Sequence, residues 1–187
     1  MSPSCPAKSP NRAIQRILPY AFAAALIIST ALPCSGQDQV ETNFRKVVNA
    51  LSGMWSIRET SDHGEATGEE VWQGGTGGMP LTEEFRIVTA SGDKLSDYAA
   101  VWWDSKAKKV RGIWCADFND KGCTPFEVTS RDSDIEMKGE YDSKGKSIAW
   151  KEIFHVTSAT AFIQTLYMGT PGEELKKVST IVAERKP

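Results

Sequence analysis

Ser147-Ile148-Ala149-Trp150-Lys151-Glu152-Ile153-Phe154-His155-Val156-Thr157, a break at Ser158-Ala159, then Thr160-Ala161-Phe162-Ile163-Gln164-Thr165-Leu166-Tyr167-Met168: this stretch decides the fold. Trp150 and Phe154 fall on one face of the first run, and Lys151 and His155 on the other. That is the two-residue period of a β-strand. Both runs are rich in the aromatic and β-branched residues that suit a pleated surface. Two such runs joined by a short polar break form an antiparallel hairpin.

The same unit recurs in both directions along the chain. Upstream lie Met54–Thr60, Glu69–Gln73, Thr82–Thr89, Leu95–Trp103, Lys109–Cys115, Pro125–Thr129 and Ile135–Tyr141; downstream lies Glu174–Glu184. Gly92-Asp93, Asp104-Ser105-Lys106, Asp132-Ser133, Asp142-Ser143-Lys144-Gly145 and Pro171-Gly172 supply turns. The glycines of Gly74-Gly75-Thr76-Gly77-Gly78 lack the strand-turn-helix setting and lysine of a phosphate loop and read as a connection. About ten consecutive strands make an all-β, antiparallel, up-and-down meander. Such a meander closes most readily into a barrel, which removes its edges; an open sandwich is the alternative.

One helix precedes the strands. Val40, Phe44, Val47, Val48 and Leu51 recur at helical spacing, Asp38 and Glu41 form a potential capping box, and Gly53 stands at the C-terminal stop. The pattern predicts an amphipathic helix over about 39–52 whose apolar stripe covers an end or side of the strands.

Further upstream, Lys8, Arg12 and Arg16 flank an apolar run from Ile17 to Ile28, followed by small residues up to Gly36. This is the pattern of a secretory signal peptide over 1–36, cleaved near Gly36-Gln37, leaving one domain over 37–187. The run contains Pro19 and is short for a membrane span. Ala31 and Pro33 make a poor lipidation site at Cys34. The expected product is therefore periplasmic or extracellular, with no stable membrane span after processing.

The whole chain has 187 residues and a net charge of −2, is 40% hydrophobic and 25% charged, and so has a globular composition. Cleavage would remove three basic residues and no acid, moving the charge from −2 to −5. Neither value suits a nucleic-acid binder. Cleavage would also leave two cysteines, Cys115 and Cys123, flanking the turn at Asn119-Asp120-Lys121-Gly122. An even count in an exported protein predicts a disulfide across the hairpin. His63 and His155 lie far from the cysteines in sequence, so no metal site is expected.

Leu51-Ser52-Gly53-Met54-Trp55, at the junction of helix and first strand, resembles the Gly-x-Trp signature of lipocalin-like, calycin-type barrels. Thr82-Glu83-Glu84-Phe85-Arg86, Val101–Lys109, Asp142-Ser143-Lys144-Gly145-Lys146 and Glu173–Val178 follow in order. Together these segments resemble an uncharacterised bacterial family of exported lipocalin-like proteins, a domain of unknown function. The resemblance implies a small barrel with the Trp at its closed end. It transfers no functional residues and no cofactor.

Strand parity nominates Trp55, Ile57, Glu59, Glu83, Phe85, Tyr98, Trp102, Trp150 and Phe154 as residues facing a barrel cavity. Leu95–Trp103 is apolar on both faces, so one of Trp102 and Trp103 must face outward. An aromatic cavity with a few carboxylates suits a small, largely apolar ligand. The leading expectation is thus non-catalytic binding or carriage of such a molecule. A filled barrel that dimerises or meets a partner is the second. The third is a carboxylate-based, isomerase-type enzyme, which requires Glu59, Glu83 and Glu152 to face one pocket rather than solvent. Otherwise no catalytic set stands out.

Overall fold

The computed structural model describes residues 36–75 and 80–187, with side chains from residue 41. The proposed signal peptide lies outside the described residues, apart from Gly36. The chain runs α1 (Gly36–Leu51), β1 (Gly53–Ser61), β2 (Gly64–Gly74), β3 (Leu81–Thr89), β4 (Lys94–Asp104), β5 (Lys109–Ala116), β6 (Cys123–Arg131), β7 (Asp134–Ser143), β8 (Lys146–Ser158), β9 (Ala161–Gly169) and β10 (Lys176–Arg185). Each strand pairs antiparallel with the next, and β1 pairs with β10, closing a ten-stranded barrel. The all-β barrel with one N-terminal helix is thus as the sequence reads. No helix among the described residues is long and apolar enough to cross a membrane.

The helix begins earlier than the capping pattern suggests. Asp38 lies inside it, and Glu41 pairs with Arg45 one turn on, at 2.8 Å. An i,i+4 ion pair thereby replaces the expected capping box. Phe44, Val47, Val48 and Leu51 are all buried. They pack chiefly against β6, with further contacts to β2, β5, β7 and β8. These strands lie on opposite sides of the barrel, so α1 closes one end.

At that end Trp55 is fully buried. Its indole N–H donates to the Leu51 carbonyl at 2.7 Å, and its ring packs edge-on to Phe162. Arg185, near the chain's C-terminus, lies over the same ring at 4.2 Å and donates to the carbonyls of Ala50 and Ser52. These are orphan acceptors of the helix C-terminus, which a cation there both bonds and stabilises. The Gly-x-Trp segment therefore joins helix, first strand and last strand.

Turn chemistry sets the hairpin registers. The β7–β8 turn needs positive φ at both central residues, met by Lys144 (53°) and Gly145 (71°). Gly112 faces inward on β5, and the Phe126 ring fills the space its side chain would take; a Cβ there would meet the ring at 2.1 Å.

Candidate functional site

The barrel interior divides along its axis. In the half under α1 the inward positions are Trp55, Ile57, Trp72, Leu81, Val101, Phe154, Phe162 and Ala183, all buried and in one apolar cluster. Trp72 packs edge-on to Phe154, and Phe154 contacts Phe162.

Toward the opposite end the same strands surround a cavity of about 260 Å³. That is near the lower limit of small-molecule sites. One flank is aromatic. Trp114 contacts Tyr141, Phe118 and Trp150 at centroid distances of 5.2, 5.5 and 6.1 Å. Trp114 comes from β5, Tyr141 from β7, Trp150 from β8 and Phe118 from the β5–β6 loop. The other flank is polar: Glu59, Glu83, Asp97, Glu152, Gln164 and Ser179. Exposed Leu95, Ser96 and Phe118 rim the mouth.

The loop carrying Phe118 is held at both ends. Cys115 and Cys123 are register partners on β5 and β6 and form a disulfide. Within the loop, Lys121 pairs with Asp142 at 2.9 Å, and the Gly145 N–H donates to the Asp120 carboxylate at 3.0 Å. The hairpin disulfide is as the sequence reads, and it anchors one side of the mouth.

The carboxylates define the electrostatics. Among the described residues, no Lys, Arg or His lines the cavity. Burial raises the Glu152 carboxyl to about 8, with the Asp97 and Glu70 charges adding to the shift and a hydrogen bond from Gln164 opposing it. Burial likewise raises Asp97 to about 7 against a hydrogen bond from Trp114. Glu83 is pushed well above the usual carboxylate range, first by burial, then by the charges of Glu70, Asp97 and Glu152. Glu70, fully buried behind Glu83, rises to about 7 through burial; hydrogen bonds to Glu83 and Trp72 work against the rise. Its Oε1 accepts from the Trp72 indole at 2.5 Å. With both acids ionised, its Oε2 has no donor. A proton held between Glu70 and Glu83 supplies one, as in paired carboxylates that cannot both ionise.

Two neutral acceptors complete the polar flank. Gln164 and Ser179 are each more than nine-tenths buried, and Gln164 Oε1 and Ser179 Oγ have no hydrogen-bond partner. Among the described residues, no group of three or more His, Cys, Asp or Glu is placed to hold a metal ion.

Of the residues nominated from sequence, the structure places Glu59, Glu83, Phe85 and Trp150 on the cavity. Trp55, Ile57 and Phe154 face inward too, but in the filled half. Tyr98 and Trp102 take the opposite face. Tyr98 is 40% exposed, and Trp102 lies outside, against β5 and β6. The inward residues of β4 are Asp97, Ala99, Val101 and Trp103. Hydrophobicity assigns the aromatic face of this strand to the interior; the register assigns the face bearing an acid. Asp97 lies opposite Phe85, and directly opposed residues share a face, so placing Phe85 inward also places Asp97 there. Glu70 was likewise legible from Trp72, two residues on. Nothing in the sequence marked Gln164 or Ser179.

Comparison with known proteins adds the fold. No protein-family model matches the chain, and no curated protein matches it by sequence. Among solved structures, the S-type phycobiliprotein lyase CPES from Guillardia theta is similar at a TM-score of 0.53. Identity is 11%, over 83% of this chain and 99% of that one. The likeness is one of fold, a closed antiparallel barrel. A second structure, EF1p2_mFAP2b bound to DFHBI, matches at a TM-score of 0.47 and 12% identity, over 76% of this chain and 98% of that one.

Proposed function

We propose that this barrel binds a small molecule in the cavity bounded by Trp114, Tyr141, Trp150, Glu83, Asp97 and Glu152. The observation that carries the reading is the cavity itself: ten strands and a helix fill one half of the interior and leave about 260 Å³ in the other. Small barrels ordinarily fill with their own side chains, so a cavity of this size with aromatic walls is a binding feature. It weighs against the filled-barrel alternative, in which Trp102 on the outer face would meet a second copy or a partner. The disulfide supports export to an oxidising compartment, in agreement with the signal-peptide pattern. Membership of the exported bacterial family rests on the sequence segments alone.

Native mass spectrometry of the protein purified from its own host, beside a denatured control, tests the reading. A non-covalent adduct lost on denaturation is the expected result. A bare protein that also shows no change in Trp114 and Trp150 fluorescence with a panel of small aromatic molecules would overturn it.

A second reading has its own observation. Glu59, Glu83 and Glu152 do face one pocket, joined by Asp97, and carboxyls raised to about 7 or 8 can exchange protons near neutral pH. A proton-transfer enzyme in this cavity would convert the recovered adduct on incubation, and Glu152→Gln would abolish the conversion; a carrier would return it unchanged.

A further inference from the structure

We propose that the occupant of the cavity is a small organic cation, an amine or related nitrogen base on a flat apolar body, with its charged end against Glu83, Asp97, Glu152 and Glu59 and its rings against Trp114 and Trp150. The inference rests on the binding function proposed above and goes further by giving the ligand's charge.

Three observations converge. The first is the imbalance of charge. Among the described residues, four acids line the cavity, a fifth, Glu70, lies behind them, and no basic side chain enters. The strands' own cations, such as Arg58, Arg86, Lys138 and Lys151, alternate to the outer face. Buried charges are normally paired within the protein, and here the protein brings no partner. A neutral or anionic occupant would exclude water from these acids and leave them without one, whereas a cation supplies it.

The second observation is independent of charge. The unpartnered Gln164 Oε1 is an acceptor only, and it lies on the same flank. Unpartnered Ser179 Oγ can accept as well. Of the indole N–H groups, Trp114 donates to Asp97, while that of Trp150, beside Gly139 on the aromatic flank, is a donor without a partner. The flank therefore asks for a ligand with several N–H donors, as an ammonium or amidinium has.

The third is the facing aromatic surface. Rings of Trp, Tyr and Phe attract a cation through their π faces and offer apolar area to the rest of the ligand. The cavity size restricts that remainder to one or two rings.

Protonation of the acids ties affinity to pH. The titratable groups facing the cation are Glu59, Glu83, Asp97, Glu152 and the Tyr141 hydroxyl, with Glu70 behind. A cation lowers the carboxyl pKa values on binding, so the complex releases protons and tightens from pH 5.5 to pH 8, while the amine stays protonated.

Three probes of matched shape test this on the purified protein by calorimetry and tryptophan fluorescence: 2-phenylethylamine, its uncharged analogue propylbenzene, and 3-phenylpropionate. The expected result at pH 8 is at least tenfold tighter binding of the amine than of propylbenzene, with no binding of the carboxylate. The amine's advantage should shrink several-fold at pH 5.5, and in Glu152→Gln and Glu83→Gln, both near-isosteric and freed of a buried charge. Binding of propylbenzene or the carboxylate as tightly as the amine, with no response to pH or to either variant, would overturn the cation inference while upholding a small-molecule site. Binding of none of the three at millimolar concentration would overturn both.

Discussion

The two halves of this barrel are built from the same ten strands by the same alternation, yet they solve opposite problems. Under the helix, Trp55, Trp72, Phe154 and Phe162 interlock, and the junction is tied by the Trp55 indole on Leu51 and by Arg185 on Ala50 and Ser52. At the other end, inward positions of β3, β4 and β8 hold Glu83, Asp97 and Glu152, and polar atoms are left without partners. One half is organised for stability. The other forgoes some stability to keep a charged, accessible space, the usual relation between a scaffold and the site it supports. Substitutions in the two halves should therefore differ in sign as well as in size.

The largest effect is expected at the closed end. Trp55→Ala removes a fully buried ring, its hydrogen bond to the helix and the surface on which Arg185 lies. A loss of about 3–5 kcal/mol in urea denaturation is expected for a truncation of this kind. A loss below about 1 kcal/mol would show that the two halves do not differ as described.

Next comes the mouth. Replacing Cys115 and Cys123 together by Ser opens a short loop and should remove roughly 2–3 kcal/mol. The comparison sharpens if the loss is accompanied by faster hydrogen exchange in the Phe118 loop, with exchange of α1 unchanged relative to global unfolding.

The smallest effect is of opposite sign. Glu83→Gln removes a buried acid from a group that burial drives toward protonation. The folded state of the ligand-free protein binds protons that the unfolded chain has released, because the folded pKa values lie above the unfolded ones. Stability is thus highest below about pH 4.5 with respect to these groups. It falls as pH rises through the folded values, about 7 for Asp97 and about 8 for Glu152. Thermal unfolding should show Tm decreasing from pH 5 to pH 8, and Glu83→Gln should flatten that slope and stabilise the protein by about 1 kcal/mol at pH 8. A Tm that rises over this range would contradict the electrostatic description of the open half.

This contrast also explains what could be read from the sequence. The closed half follows hydrophobic rules, so the helix stripe, the Gly-x-Trp junction and the strand count were legible from apolar periodicity and turn residues. Cys115 and Cys123 were legible because a hairpin turn lay between them. The open half departs from those rules. An inward Asp97 on a strand whose other face carries Tyr98 and Trp102 reverses the apparent polarity of β4, and apolar content alone selects the wrong face. Cross-strand register carries the correct answer, through Phe85 opposite Asp97. That information depends on turn length, which composition does not convey. Gln164 and Ser179 matter through the absence of a partner, and such an absence exists only once the neighbours are placed.

The seam between β1 and β10 has a consequence for how the chain is made. The register partners Trp55 and Arg185 join the first strand to the tenth, 130 residues further along the chain. A growing polypeptide therefore carries two unpaired sheet edges until β10 emerges. Neither the Trp55–Arg185 contact nor the carbonyl bonds to the helix can form before β10 has been made. Closure is correspondingly a pairing of long sequence separation, the class of contact that forms slowly and leaves edges open to aggregation. A chain released before residue 176 has no tenth strand, and its cavity lacks the wall formed by Ser179 and Ile181.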